Sequence, residues 1–256
     1  FVAMALVDLS KLNQILTQYD VSIADQNDLV VLRDYEILLI CDDSGSMVLN
    51  STPNSSYMYA DASRWDELKD TVSCIVQLGA CFVGTSGMNI YFLNAPAIKD
   101  VKSASDSRLI EALSKKPHGS TPLTETLHRA VKGVDGQRPV LLVIFVDGEP
   151  NGGSDLFCTA LGKLVNKQST PHTFKVQVIA CTGDRNSIGW MSNLDGRYAE
   201  VSCTEDYFIE GKQVLQAGHA KRFTKGDWIM KALLRPVSNK FASWDKKKGK
   251  KRSSSF

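Results

Sequence analysis

Histidine is scarce in this 256-residue chain, and cysteine is nowhere arranged to hold a metal. Only four histidines occur, none at zinc-finger spacing, and none of the six cysteines forms a C-x-x-C pair, which argues against a structural zinc site. No Ser-His-Asp or Cys-His arrangement stands out, no lysine sits in an obvious catalytic loop, and no G-x-x-x-x-G-K-[ST] loop is present. Nucleophilic catalysis and P-loop nucleotide binding are therefore not expected. No apolar run reaches the ~18–20 residues of a membrane span. The first nine residues lack the charged start of a signal peptide, and an opening Phe1 reads as a fragment of something longer. No internal repeat is visible. We read the cysteines as reduced thiols and expect the cytoplasm as the compartment.

The content is otherwise that of a globular protein: 43% hydrophobic and 23% charged residues suffice for one large buried core. The formal net charge of +2 conceals an asymmetry, because Lys246 to Arg252 carries six positive charges and no negative ones. The remainder is then acidic by roughly −4, which makes nucleic acid an unlikely ligand except through the basic tail. Three apolar runs dominate: YEILLIC ending at Cys41, PVLLVIFV ending at Val146 and FKVQVIAC ending at Cys181, with a shorter MNIYFL from Met88. Such runs suit strands covered on both faces. Between them lie apolar stripes at helical spacing. These are Trp65-Leu68-Val72-Ile75-Val76, Leu123-Leu127-Ala130-Val131-Val134 after Pro122, Leu156-Ala160-Leu161-Leu164-Val165, and Trp228-Ile229-Leu233. Strands alternating with helices predict an α/β fold with a doubly wound, mostly parallel central sheet flanked by helices. We divide the chain into an N-terminal extension (1–31), one domain (32–238) and a basic tail (239–256) expected to be disordered. Residues 48–63 read as a long loop rich in Ser, Asn and Tyr; it holds Asn50-Ser51-Thr52 and Asn54-Ser55-Ser56, formal glycosylation acceptors that an intracellular protein leaves unused.

The chemistry gathers at the ends of the runs. Asp42-Asp43-Ser44-Gly45-Ser46 follows the run ending at Cys41, Asp147-Gly148-Glu149 follows the run ending at Val146, and Gly119-Ser120-Thr121-Pro122 leads into a helix. In a parallel sheet these loops converge beyond the carboxyl ends of the strands. Two carboxylates and three hydroxyls without histidine or cysteine are the donor set of a hard cation, Mg²⁺ or Mn²⁺. Neutral hydroxyl ligands leave that ion under-neutralised and ready to accept a further carboxylate.

In this order the residues resemble the metal-ion-dependent adhesion site of von Willebrand factor A domains, over about Leu32 to Ser238. The resemblance implies a Rossmann-like fold. It implies Ser44, Ser46 and Thr121 as hydroxyl ligands, and Asp42 and Asp147 as ligands directly or through water. It further implies a partner protein that donates an Asp or Glu carboxylate, and a last helix, here including Trp228 to Leu234, that moves when that carboxylate binds. Arg64-Trp65, Ile90 to Asn94 and that last helix look like an intracellular branch of the family.

Neighbouring residues admit two readings each. Asp43 and Glu149 either support the ligands or are solvated. Asp184, after Cys181-Thr182-Gly183, lines the ligand surface or caps a helix. His118 tunes binding or is merely exposed; Tyr57, Met58 and Tyr59 form a contact patch or fold down. Gly45, Ser120 and Gly148 complete the loops. Three functions remain open: a cation-dependent protein-binding module, a metal-dependent hydrolase such as a phosphatase, and an interaction domain that works without metal. The hydrolase is disfavoured because Ser44 stands where a haloacid-dehalogenase-like enzyme would have its second aspartate. The module is therefore read as a non-enzyme.

Overall fold

The computed structural model of the protein describes residues 7–50, 62–82 and 87–241. Residues 242–256 of the basic tail, the Tyr57, Met58 and Tyr59 side chains and most of the 48–63 loop with its glycosylation triplets lie outside these residues, whereas Phe241, placed in the tail by the sequence, is buried in the core. Six strands form one sheet: β1 (Glu36–Cys41), β2 (Met88–Phe92), β3 (Ile98–Val101), β4 (Val140–Val146), β5 (Phe174–Ala180) and β6 (Val201–Thr204). The helices are α1 (Leu9–Gln18), α2 (Gln26–Leu29), α3 (Arg64–Gly79), α4 (Ser107–Ser114), α5 (Leu123–Lys132), α6 (Ser154–Val165), α7 (Arg185–Ile188), α8 (Tyr207–Gln216) and α9 (Lys225–Leu234).

The strand order is β3-β2-β1-β4-β5-β6, and every pairing is parallel except β2 with β3. This is the doubly wound α/β architecture expected from the apolar runs. Because successive side chains leave a strand on opposite faces, each run feeds two cores. Ile37, Leu39, Leu141, Val143 and Phe145 face a cluster containing α1, α3 and α9 residues. Leu38, Ile40, Leu142, Ile144 and Val146 face a second cluster with α5 and α6. A strand buried on both sides has no polar phase, which is why these segments read as unbroken apolar runs.

Residues 8–29 belong to the first core. Leu12, Ile15, Leu16 and Leu29 are buried in it, and the fully buried Asp227 of α9 fastens the segment after α1. Its carboxylate accepts hydrogen bonds from Ser22 N (2.5 Å), Ser22 Oγ (2.8 Å) and Ile23 N (3.1 Å). In α6 the expected stripe holds for Leu161, Leu164 and Val165, which are buried, and for Ala160, which packs against the second core; Leu156 is exposed, and Phe157 and Cys158 are buried in its stead. All six cysteines are free thiols. Among the described residues no helix is long and apolar enough to cross a membrane.

At the β6 edge the sheet is closed by side chains. Asp195 accepts from Cys203 N (2.9 Å), Arg235 donates to Cys203 O, and the two side chains pair with each other at 2.9 Å. Both main-chain groups of an edge residue are thus occupied.

Candidate functional site

The strand order reverses between β1 and β4, the switch point at which open α/β sheets gather ligands. Cys41 pairs with Phe145, so Asp42 and Asp147 leave adjacent strands side by side. Both are buried, at 0% and 1% exposure. Asp42 Oδ1 accepts from Ser44 N at 2.9 Å, and its Oδ2 lies 3.4 Å from Asp147 N. Ser44 Oγ is 3.1 Å from Ser46 Oγ, which donates to Asp147 Oδ1 at 2.8 Å. The other oxygen, Asp147 Oδ2, accepts from Arg64 Nη1 at 3.0 Å. Four of the five sequence-selected donors therefore form one connected cluster.

The fifth, Thr121, is half-buried on the loop before α5. That loop is tied to the cluster by main-chain bonds, Gly45 N to Gly119 O (3.1 Å) and His118 N to Asp43 O (2.8 Å). Gly119 has φ +89° and packs so closely on Asn94 that a Cβ would lie 2.4 Å from its Oδ1, so only glycine fits this turn. Asn94 Nδ2 donates to Ser120 O at 2.9 Å. Asn151 donates from Nδ2 to Ser120 Oγ (2.9 Å) and accepts from Thr121 N (3.2 Å).

The neighbouring residues separate into distinct roles. Asp43 turns away from the cluster and bolts the end of β2, its carboxylate accepting from Asn94 N (2.7 Å), Asn94 Nδ2 (3.2 Å) and Ala95 N (2.9 Å). Glu149 accepts from Ser154 N at the start of α6 (3.2 Å), and Asp184 caps α7 through Asn186 N (3.0 Å) and Ser187 Oγ (2.8 Å). Of these, Asp184 is held below the ordinary carboxylate range chiefly by the Ser187 hydroxyl. Nothing lies within 4 Å of the Cβ position at Gly148, and His118 is exposed. Sequence reasoning missed Asn94 and Asn151 as loop braces and Arg64 as the partner of Asp147. Asn94 stands at the carboxyl end of β2, the one position a sheet-edge argument could have singled out.

Electrostatically the cluster is a buried anion pair. Burial, and then the charge of Asp147, push the Asp42 carboxyl up to about 7. Burial also raises the Cys41 and Cys181 thiols well above their ordinary value, with nearby carboxylates adding to the effect. They stay neutral, poor metal ligands. No group of three or more His, Cys, Asp or Glu that could hold a metal occurs among the described residues; the cluster pairs two carboxylates with hydroxyls instead.

Asp206, the N-cap of α8, is pushed up to about 6, mainly by burial. A carboxyl whose folded value exceeds its unfolded value of ~3.9 stabilises fully below pH ~4 and loses that contribution as pH rises through 6. The loss should be on the order of 2–3 kcal/mol. Asp206→Asn, which can still cap, is expected to flatten this part of the stability–pH curve in urea titrations from pH 4 to 8. An unchanged slope would assign the pH dependence elsewhere.

No protein-family model matches the chain, and no curated protein does. Among solved structures, the PilB minor pilin of Streptococcus sanguinis superposes with a TM-score of 0.51 at 13% identity, over 84% of this chain and 62% of that one. The likeness is one of fold. This chain spans less than two thirds of that pilin chain. Looser overlaps occur with the manganese-loaded TRAP protein of Plasmodium vivax (TM-score 0.43, 14% identity, 70% of this chain and 71% of that one). The RO (RSR) protein of Deinococcus radiodurans is similar at a TM-score of 0.45 and 14% identity, over 80% of this chain and 35% of that one.

Proposed function

We propose that residues 32–238 are a von Willebrand factor A-type domain that binds one Mg²⁺ or Mn²⁺ and uses it to grip an Asp or Glu carboxylate of a partner protein. The observation that carries this reading is the meeting of Asp42, Ser44, Ser46 and Asp147 at the switch point, joined by the 2.8 Å Ser46–Asp147 and 3.1 Å Ser44–Ser46 contacts. Two desolvated carboxylates repel one another, and a divalent ion between them would relieve that repulsion. The donor chemistry fits: oxygen only, two anionic and up to three neutral groups with Thr121, as a hard octahedral ion prefers. When bound, the ion would supply a Lewis-acidic position for an outside carboxylate. Asp42 and Asp147 would anchor it, and the Asn94 and Asn151 braces would fix the height of the Thr121 loop. Asp43, Glu149 and Asp184 would act as loop and helix supports.

The test is direct ion binding, followed by calorimetry with Mg²⁺ and by electron paramagnetic resonance with Mn²⁺. Wild type is expected to take up one ion, and Thr121→Ala to weaken it by about tenfold or more, the scale on which losses in and around metal sites fall. Acetate or a short Asp-containing peptide should then bind only in the presence of the ion.

One observation favours a second reading, an interaction domain that needs no metal. Arg64 already supplies a positive charge to Asp147. Full-affinity peptide capture in chelator would decide for that reading.

A further inference from the structure

Arg64 opens α3, where a Ser63–Asp66 capping box fixes the first turn. Its guanidinium pairs with Asp147 at 3.0 Å with side-chain exposures of only 8% and 0%. This is a desolvated contact, unlike the solvent-facing ion pairs elsewhere on the surface. Its Nε is buried without a hydrogen-bond partner, and so is Asp206 Oδ2. Both residues line one narrow cavity of ≈ 10 Å³, which Glu67 also faces. That volume is about the room of a single water molecule, which would give each orphaned atom its missing partner and hold the guanidinium in place. Arg64 is therefore held by Asp147 through one guanidinium nitrogen, and its Nε is left without a partner in the cavity that it and Asp206 both line.

The charge arithmetic gives this arrangement a role. When both are ionised, Asp42 and Asp147 carry two negative charges, and Arg64 cancels one. It also occupies Asp147 Oδ2, an oxygen that an incoming cation would draw on. We infer that Arg64 is the resident counter-ion of the site: it keeps the metal-free site from repelling itself and lowers its affinity for divalent cations, so that metal occupancy follows the surrounding concentration. This inference rests on the metal-binding reading above. A positive charge one carboxylate away from a divalent ion, in a partly desolvated setting, should weaken binding by at least about tenfold.

The experiment is a calorimetric titration of the whole chain with Mg²⁺ and Mn²⁺, in wild type, Arg64→Gln, Arg64→Met and Arg64→Lys, paired with thermal unfolding in EDTA. Arg64→Gln and Arg64→Met should bind both ions about tenfold more tightly or better, while Arg64→Lys stays within about threefold of wild type. In EDTA the two neutral variants should melt lower than wild type, and metal should restore them. Should Arg64→Gln fold only with metal, its recovery in Mg²⁺ supports the inference, and Arg64→Met supplies the affinity comparison. Neutral variants that titrate like wild type would overturn the counter-ion role while leaving the metal site standing. Arg64→Lys binding as tightly as Arg64→Gln would do the same, since charge would then not be the cause. No ion uptake by any of the four proteins would remove the metal-binding reading and this inference together.

Discussion

Saturating Mg²⁺ or Mn²⁺ is expected to stabilise the wild-type chain by about 2.7 kcal/mol when the free ion stands at ~100 times its Kd. For a domain of this size that is a rise in Tm of roughly 5–10 °C. Asp42→Asn should abolish the rise and, in addition, invert the order of the two proteins. Its amide oxygen can still accept from Ser44 N, the bond Asp42 Oδ1 makes at 2.9 Å, so the turn is kept. The charge is not. Burial and Asp147 push the Asp42 carboxyl up to about 7, so its stabilising contribution is complete below pH ~4 and is lost as pH rises through 7. At pH 8 without metal, wild type carries the cost of two ionised neighbours and Asp42→Asn does not. The variant should then be at least as stable as wild type in EDTA and clearly less stable in metal. Thermal unfolding of both proteins under both conditions measures this. Two parallel shifts, or none, would mean that Asp42 holds no ion.

Asp227→Ala is expected to cost about 3–5 kcal/mol, near the top of the range for a single substitution. The side chain is fully buried and its two oxygens accept four hydrogen bonds, three from Ser22 and Ile23 and one from Thr224 N at 3.0 Å. Removing it strands several main-chain donors away from water. It also frees the segment that carries α1 from the start of α9. Asp227→Asn should be nearly as damaging, because its amide nitrogen must face donors. A ring of donors asks for a carboxylate, and no other side chain of that size is acceptor-only when ionised. Chemical denaturation would give the value, and a cost below about 1 kcal/mol for either variant would show that the N-terminal segment holds without this bolt.

The sheet was legible where a strand is buried on both faces. β1, β2, β4 and β5 announce themselves because every position from Leu38 to Cys41, or from Val140 to Val146, is in a core. β3 and β6 did not, since four residues with Lys99 and Asp100 exposed, or with Ser202 and Cys203 half-buried, carry no distinctive period. α1 was missed although Leu12, Ile15 and Leu16 have helical spacing; a ten-residue helix is marginal alone and is held here by its packing on α3 and α9. Leu156 misled because exposure of a leucine depends on which helix face is covered. In the candidate site, run boundaries placed Asp42 and Asp147 correctly at strand ends. The Arg64–Asp147 pair spans 83 residues and no local pattern encodes it. Asn94 and Asn151 likewise act only once the loops have met.

The Asp195–Arg235 clasp on Cys203 has a consequence for how copies of this protein share a crowded solution. A parallel sheet that ends in bare rungs is a growing tip, onto which a neighbour's extended chain can zip without any particular sequence. Here two side chains from outside the strand already occupy the rung at Cys203, so a neighbour arriving on this flank finds it taken. Encounters along that rung are correspondingly brief.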